Sequence, residues 1–393
     1  MERIGIYGGT FDPPHAGHLR AAQAAIDGLH LDRLLLLPAS CSPHKTPGEV
    51  SPHHRLEMLS LAAGEKMEVC DLEVQRGGVS YTVDTLQALK AQHPDDKLYL
   101  CMGSDSFLAL ETWKAPQTIF TLAEICVFSR GGKKEAQKIR EQKEKLEHKG
   151  AKVSVINNPV TAISSSNLRR LLAFGCGKEF LPEPVCDYIR NNGLYNTRKN
   201  WKNLPMEDLE KVVISLLNPN RVAHTLGCRD TAVELARRWG VNETDAARAG
   251  ILHDVTKALD GPLQLTLCEA YGKMLSDFSR KYPKTLHALT GSLVAEVVFG
   301  ENREVVEAIK SHTTGKANMT TLQKIIYIAD YMEPCRDFPG VEKLRHLAFT
   351  DLDAALKLGL EMTLEHLANQ GNEVSPESQE ALRFLNRKGE TLC

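Results

Sequence analysis

Two histidines three residues apart follow a glycine turn near the start of the chain. Gly8 and Gly9 end a short apolar run, and His15 and His18 come directly before an alanine-rich segment that predicts a helix. Backbone N–H groups at a turn and at a helix N-terminus can bind an anion, and imidazoles add further donors. The combination of strand, turn, paired histidines and helix start therefore favours a phosphate site over a structural turn with two incidental histidines.

Three consecutive serines form a second polar group at a predicted helix start. Ser164, Ser165 and Ser166 precede a leucine-rich helical segment, and Arg169 lies about one turn into it. Hydroxyls, the helix dipole and a guanidinium together can hold a triphosphate. Serine runs often only cap helices. Paired with the loop from Gly8 to His18, which we call the first loop, this one indicates nucleotidyl transfer.

Further polar stretches follow other predicted strands. Pro43-His44-Lys45 offers an imidazole and a cation for phosphate, or is a solvated turn. Gly103-Ser104-Asp105 is followed by Trp113, which could stack on a flat ring or pack in the core. Thr82 is the expected N-cap of a helix with Thr85 close behind, so their structural role is favoured unless their neighbours contact substrate.

Short apolar runs alternate with helical patterns up to about residue 195. The strand candidates are 3–7, 33–38, 67–72, 97–102, 124–128 and 151–155. Strands that are apolar throughout and separated by helices predict a parallel sheet covered on both faces. We therefore expect a doubly wound α/β domain, whose ligands bind beyond the carboxyl ends of the strands, where the first loop lies.

Length and composition narrow the class of protein. A chain of 393 residues with 42% hydrophobic and 25% charged residues is expected to form two globular domains. The net charge of −2 argues against broad binding to nucleic acid. Ten cysteines without a Cys-x-x-Cys pair indicate reduced thiols. We expect a cytoplasmic protein, since neither a secretory signal nor a membrane span is apparent.

The alternation stops after Tyr195, where a polar, basic stretch begins. From residue 207 the pattern is helical, and we expect helices over 207–217, 221–239, 243–257, 262–280, 286–299, 302–312, 320–333 and 350–369. The expected domains are therefore 1–198 and 199–393, the second all-α. Metal-binding residue types recur there at helical positions: His224, His253, Asp254, His287, His312 and Asp330. Burying them unpaired would be costly, so convergence on metal is expected. Four imidazoles and two carboxylates suit two transition-metal ions, which could supply hydroxide and clamp a phosphoryl group.

Residues 1 to about 198 resemble the nicotinate-nucleotide adenylyltransferase family of the nucleotidyltransferase superfamily. The resemblance is carried by Gly9-x-Phe11-Asp12-Pro13-x-His15-x-Gly17-His18 and by Ile163-Ser164-Ser165-Ser166-x-x-Arg169. It implies that ATP and nicotinate mononucleotide give deamido-NAD and pyrophosphate, with Mg²⁺ on the phosphates. His15, His18, the serines and Arg169 would contact ATP phosphates, with His18 acting on the transition state. The remaining implied substrate contacts are Gly8, Gly9, Thr10, Phe11, Asp12, His44, Lys45, Thr82, Thr85, Gly103, Asp105 and Trp113.

Residues from about 205 to 385 resemble HD-domain phosphohydrolases, in particular the symmetrical bis(5′-nucleosyl)-tetraphosphatases. The resemblance is carried by the histidine series and by the stretches 309–315, 324–334 and 336–341. It implies hydrolysis of diadenosine tetraphosphate to two ADP at a di-iron or related centre held by the six residues above. Asp254 would also be catalytic, and Lys257, Thr313, Arg336 and Asp337 are candidates for substrate phosphate or orientation.

Two alternatives for the second domain stay open. It could sense a nucleotide without turnover, or it could be another phosphohydrolase, such as a nucleotidase or a cyclic-nucleotide phosphodiesterase.

Overall fold

The computed structural model describes residues 1–41, 43, 49–129, 132–158 and 163–390. The chain forms two compact units, Met1–Arg198 and Lys199–Cys393. Each unit has its own secondary-structure class and is described separately.

The first unit is built on a six-stranded sheet in the order β3-β2-β1-β4-β5-β6. Every neighbouring pair of strands is parallel. The strands are β1 (Arg3–Gly9), β2 (Arg33–Pro38), β3 (Met67–Val69), β4 (Lys97–Gly103), β5 (Glu124–Ser129) and β6 (Val153–Asn157). The expected doubly wound α/β fold is confirmed, and the order reverses at β1 and β4, the position where such folds place a ligand.

Helices cover both faces of this sheet. They are α1 (Ala16–Leu29), α2 (Pro52–Ala62), α3 (Leu72–Arg76), α4 (Thr82–Gln92), α5 (Ser104–Leu108), α6 (Pro116–Leu122), α7 (Lys133–Glu147), α8 (Ser165–Ala173) and α9 (Glu183–Asn191). The sequence did not predict the short helices α3 and α6. The prediction of Thr82 as the N-cap of α4 was also wrong. Tyr81 has the extended backbone of an N-cap, and Thr82 is the first residue of the helix.

Alternate residues of the strands supply two apolar cores. Ile4 and Ile6 pack on one face of the sheet, whereas Leu34 and Leu36 pack on the other against α1. Gly5 leaves space for the Leu31 side chain in the second of these cores, since a Cβ atom on it would lie 2.6 Å from Leu31 Cδ1. These buried contacts hold the carboxyl ends of β1, β2 and β4 at one edge, and the polar loops leave from that edge.

The second unit is all-α, as expected, and the structure describes it from residue 199 to 390 without a strand. Its helices are α10 (Met206–Leu216), α11 (Val222–Trp239), α12 (Glu243–Leu252), α13 (Gly261–Ala270), α14 (Asp277–Lys281), α15 (Leu286–Val297), α16 (Arg303–Ser311), α17 (Thr321–Met332), α18 (Val341–Thr350), α19 (Leu352–Asn369) and α20 (Pro376–Glu390). The sequence missed α18 and α20, and a helix expected over 262–280 is two helices separated by a turn.

Five helices surround the metal-binding residue types of this unit. α11 packs against α12 and α17, and α16 packs against α12, α15 and α17. The helix expected over 243–257 ends at Leu252, so His253 and Asp254 lie in the turn that follows α12. Among the helices of both units, as far as the structure describes them, none is long and apolar enough to cross a membrane.

Candidate active sites

The paired histidines of the first unit are fixed by the start of α1. His15 is the N-cap residue, and its Nδ1 accepts from the Gly17 N–H at 3.2 Å. His18 Nδ1 accepts from the His15 N–H at 3.3 Å, which completes a capping box. The two rings lie 3.8 Å apart between centroids. Since each Nδ1 accepts a backbone bond, a neutral imidazole carries its proton on Nε2 and can donate it to an anion.

Phe11 and Asp12, expected as substrate contacts, have buried side chains that support the loop. Phe11 is 1% exposed and packs edge-on against His18 and Tyr7. Asp12 is 2% exposed and accepts from Tyr195 Oη at 2.6 Å and from the Glu49 N–H at 2.6 Å. Their expected role is therefore revised, because their side chains bond within the protein and shape the loop from behind.

The two motifs that suggested nucleotidyl transfer meet in the structure. Ser164 is the N-cap of α8 and accepts from the Asn167 N–H at 3.2 Å. Ser165 Oγ donates to the Pro13 carbonyl at 3.2 Å. Ser166 Oγ accepts from Arg169 Nη2 at 3.4 Å. The serine loop thus lies beside the first loop at the carboxyl edge of the sheet.

A cavity of about 360 Å³ opens next to the start of the first loop. Seven expected substrate contacts line it: Gly8, Gly9, Thr10, Thr82, Gly103, Asp105 and Trp113. Thr85 lies behind the lining, where its hydroxyl donates to Glu73 Oε1 at 2.7 Å and accepts from Arg76 at 2.9 Å. Pro43 also lines the cavity, whereas His44 and Lys45 lie outside the described residues. Lys114, next to Trp113, lines the cavity as well, and Glu73 is a lining residue that the sequence did not reveal.

Arg55 is a second residue that the sequence analysis missed. Its side chain lies on α2, is 2% exposed and donates to the carbonyls of Thr10 at 2.9 Å and Ala39 at 2.7 Å. Burial lowers the pKa of its guanidinium, although the Asp12 charge opposes this. Arg55 therefore ties the loop after β1 to the loop after β2. An arginine in an ordinary helical segment gives no sign of this burial.

In the second unit, one group of expected ligands surrounds the turn after α12. His224 Nε2 lies 3.3 Å from His253 Nε2 and 3.1 Å from Asp330 Oδ1. Asp254 Oδ2 lies 3.7 Å from His224 Nε2 and 3.5 Å from His253 Nε2. We call these atoms the His224 half of the centre. The ligand atoms of His224, His253 and Asp330 converge closely enough to hold one metal ion.

The other oxygen of the same carboxylate faces a second pair of histidines. Asp254 Oδ1 lies 3.5 Å from His287 Nε2 and 3.8 Å from His312 Nε2, and we call these atoms the His312 half. Asp254 is 1% exposed, yet its Oδ1 has no hydrogen-bond partner among the described residues. An orphaned buried carboxylate oxygen between two imidazole nitrogens fits a cation, so Asp254, His287 and His312 would hold a metal ion in this half of the centre.

All four imidazoles present Nε2 to the centre because Nδ1 is occupied. Nδ1 of His253, His287 and His312 bonds the carbonyl three residues earlier, at 2.7, 2.9 and 2.7 Å. His224 Nδ1 bonds Glu333 Oε1 at 2.9 Å. Since these oxygens only accept, each Nδ1 carries a proton, so the neutral form of each imidazole keeps its lone pair on Nε2, the arrangement found in metal ligands.

The charge states also suit metal binding. Burial alone would raise the pKa of Asp254, but His253 and His312 outweigh it and hold this pKa well below its usual range. The same balance, with His224 as the main partner, lowers the pKa of Asp330. Burial and the Lys257 charge lower the pKa of His287 to about 3. At neutral pH these carboxylates are ionised and His287 is neutral, as ligands must be.

A cavity of about 590 Å³ borders the His312 half. Its lining includes the expected phosphate contacts Lys257, Thr313 and Arg336, together with the aromatic Tyr331 and Phe338. Lys257 Nζ lies 2.8 Å from His287 Nε2, and Arg336 donates to Asp330 Oδ1 at 2.8 Å.

Two residues differ from the set of site residues that the sequence predicted for this centre. Asp337 is exposed and is not among the described residues that line the cavity, so the geometry does not bring it to the centre. Arg221, which the sequence analysis did not select, donates to Asp254 Oδ2. Its position three residues before His224 was the only available signal.

Comparisons with known proteins identify the type of both domains. Residues 6–171 match the cytidylyltransferase-like family, and residues 221–335 match the HD domain. The chain thus joins a nucleotidyltransferase domain to an HD domain, the domain type associated with hydrolases and metal binding.

Relatives of the first unit are identified more closely. A "probable nicotinate-nucleotide adenylyltransferase" of Shewanella frigidimarina is 37% identical over 49% of this chain and 99% of its own length. Another protein of that name, from Shewanella woodyi, is 39% identical over 50% of this chain and 100% of its own length. The chain therefore belongs, through its first unit, to the nicotinate-nucleotide adenylyltransferase family.

Several solved structures match about half of the chain, and one of them is described by name as a hydrolase. It is a "predicted HD superfamily hydrolase involved in NAD metabolism" from Clostridium acetobutylicum, 35% identical, covering 47% of this chain and 98% of its own, with a TM-score of 0.46.

Proposed function

We propose that the first unit transfers the adenylyl group of ATP to nicotinate mononucleotide, giving deamido-NAD and pyrophosphate. Family membership supports the reaction, and Mg²⁺ would accompany the ATP phosphates. The observation that carries the proposal is the contact between the motifs: Arg169 Nη1 donates to the Asp12 carbonyl at 2.7 Å. This contact places the guanidinium beside the loop that carries His15 and His18.

The proposed reaction needs positioning and charge neutralisation more than a protein nucleophile. The phosphate of the mononucleotide attacks the α-phosphorus of ATP, and pyrophosphate leaves in line. Donors on His15, His18 and Arg169 would neutralise charge that develops on the phosphates. Trp113 in the cavity wall offers a flat apolar surface for a pyridine or adenine ring.

An assay on the full chain tests this proposal. Pyrophosphate release is measured with ATP and Mg²⁺ plus either nicotinate mononucleotide or nicotinamide mononucleotide. We expect the acid to be preferred. Release that is absent with both pyridine nucleotides would overturn the proposed reaction, and preference for the amide would overturn only the substrate assignment.

We propose that the second unit hydrolyses diadenosine tetraphosphate symmetrically to two ADP at a di-iron or related centre. The carrying observation is that the two oxygens of Asp254 face separate histidine pairs. Such a metal pair, when bound, activates water and stabilises phosphoryl oxygens. Lys257, Thr313 and Arg336 would hold the phosphate chain, and Tyr331 would lie near a nucleoside in the adjoining cavity.

A substrate panel tests the hydrolase and its alternatives. The full chain, loaded with Fe²⁺ or Mn²⁺, is given diadenosine tetraphosphate, nucleoside monophosphates or cyclic nucleotides, with Asp254→Asn as the inactive control. We expect ADP as the product. Preference for monophosphates or cyclic nucleotides would make the unit another phosphohydrolase, and metal binding without turnover of any substrate would favour the nucleotide-sensing alternative.

A further inference from the structure

Glu333 is a buried carboxylate that the proposed reaction does not use. It directly follows α17 and is 1% exposed. Its Oε1 accepts from His224 Nδ1 at 2.9 Å, and its Oε2 accepts from the Cys335 N–H at 2.7 Å. A buried carboxylate is costly unless its oxygens are bonded, so both contacts hold it in one orientation.

The partner of His224 differs in kind from those of the other three histidines. His253, His287 and His312 bond neutral carbonyls three residues earlier in their own segments. His224 instead bonds a side-chain carboxylate 109 residues away. A carboxylate on the outer nitrogen fixes the ring and makes the inner nitrogen a more basic metal ligand.

The end of α17 also contacts both nitrogens of this ring. Asp330 Oδ1 lies 3.1 Å from His224 Nε2, whereas Glu333 bonds Nδ1. Asp330 and Glu333 are three residues apart, so they lie on the same side of the chain about one turn apart. Glu333 therefore connects α11, which carries His224, to the end of α17, which carries Asp330. His224 and Asp330 both belong to the His224 half.

Gly227 leaves the space that Glu333 occupies. It lies one turn after His224 in α11, and a Cβ atom on it would be 2.8 Å from Glu333 Oε2 and 3.2 Å from Pro334 Cδ. Alanine has a higher helix propensity than glycine, so Gly227→Ala does not weaken α11 itself. Any effect of the added methyl group on metal binding therefore comes from its contact with Glu333 and Pro334. Gly227→Ala would displace the Glu333 carboxylate without removing its charge.

We propose that Glu333 is a positioning residue that sets metal affinity in the His224 half alone. The inference rests on the proposed metal-dependent centre. Without Glu333, the His312 half keeps its metal because its imidazoles are held by their own backbone carbonyls. The His224 half binds metal about 10- to 100-fold more weakly.

Titration of the full chain with Mn²⁺ tests this, with metal counted per chain and each affinity measured. Wild type is expected to bind two ions, and Glu333→Ala to keep one at unchanged affinity while the other weakens. Gly227→Ala should behave in the same way. Glu333→Gln keeps an acceptor for His224 Nδ1 but loses the charge, so its loss of affinity should be smaller.

Glu301→Gln is the matched control, because Glu301 is also a buried carboxylate but pairs with Arg248 at 2.6 Å. It should bind two ions as wild type does. Two ions at unchanged affinity in Glu333→Ala and Gly227→Ala, or equal weakening of both ions, would overturn the inference. If Glu333→Ala does not fold, Glu333→Gln and Gly227→Ala decide. A wild type that binds no metal would instead contradict the proposed hydrolase.

Discussion

Arg169 holds the first loop through the backbone of Asp12, 157 residues away in sequence. Its Nε also pairs with Glu49 Oε2 at 2.8 Å. One planar guanidinium thus bonds the first loop and the Glu49 carboxylate through separate nitrogens. A lysine ammonium cannot reproduce this fork.

We therefore expect Arg169→Lys to lower kcat/KM for adenylyl transfer by about 100- to 1000-fold, in the range for losing an oriented charged donor. Arg170→Lys is the control, because Arg170 bonds Asn167 Oδ1 on the same helix instead. Steady-state kinetics with varied ATP make the measurement. Near-normal kcat/KM in Arg169→Lys would remove the guanidinium geometry from the proposed mechanism.

His18 can be tested without disturbing the start of α1. Glutamine at the N3 position also accepts from the N-cap N–H, so His18→Gln keeps the capping box and loses the imidazole. We expect transfer to fall by about 100-fold or more while the melting temperature holds. His18→Ala should lose transfer and about 1 kcal/mol of stability. The exposed His53 provides a control as His53→Ala, and wild-type turnover in His18→Gln would exclude a catalytic imidazole.

Periodicity predicted the sheet because its buried strands are apolar along their whole length. Periodicity did not predict the burial of a charged side chain. The Arg55 guanidinium is buried because it donates to the carbonyls of Thr10 and Ala39, which are distant in sequence. A local pattern contains no information about such partners. Motif spacing identified the loops, but it could not show that Phe11 and Asp12 face inward.

The metal residues were predictable as a set, but their geometry was not. α12 ends at Leu252, and His253 and Asp254 lie in the turn that follows, where His253 Nε2 is 3.5 Å from Asp254 Oδ2. The sequence favoured a longer helix because the turn is stabilised by contacts from other segments, such as Thr256 Oγ1 with the His287 carbonyl.

Tyr195 supports the Asp12 carboxylate from the end of the first unit. Burial, and then the neighbouring Asp12 charge, raise the pKa of Tyr195 far above its usual range, so its hydroxyl stays a donor. Tyr195→Phe would leave a buried carboxylate oxygen without that donor. We expect a loss of about 1–3 kcal/mol in urea unfolding. Tyr188→Phe is the control, since Tyr188 bonds the half-buried His54, and equal losses in both variants would contradict a special role for Tyr195.

Glu111 should make stability depend on pH in the acid range. Hydrogen bonds from Lys145 and Lys149, at 2.6 and 2.5 Å, lower its pKa from 4.5 to about 2. A lowered pKa means that the contribution is complete above pH 4.5 and is lost as the pH falls toward 2.

The stability difference between wild type and Glu111→Gln should therefore narrow as the pH falls from about 5 to 3. Urea unfolding at several pH values measures it. Glu141→Gln serves as the control, because Glu141 bonds the neutral Gln137. A difference that stays constant over this range would show that the two lysines do not stabilise the charged form of Glu111.

Metal should stabilise the second unit because the positive charge of a bound ion offsets the negative charge of its buried carboxylates. The two oxygens of Asp254 face both halves of the centre, so Asp254→Asn should weaken both ions. A ligand that binds only the folded state adds about 2.7 kcal/mol at a free concentration 100 times its Kd. We expect Mn²⁺ to raise the unfolding temperature of wild type, EDTA to reverse the rise, and Asp254→Asn to show little of it. Ca²⁺, which prefers oxygen ligands, should have a weak effect. An equal rise in Asp254→Asn would mean that the ion binds elsewhere.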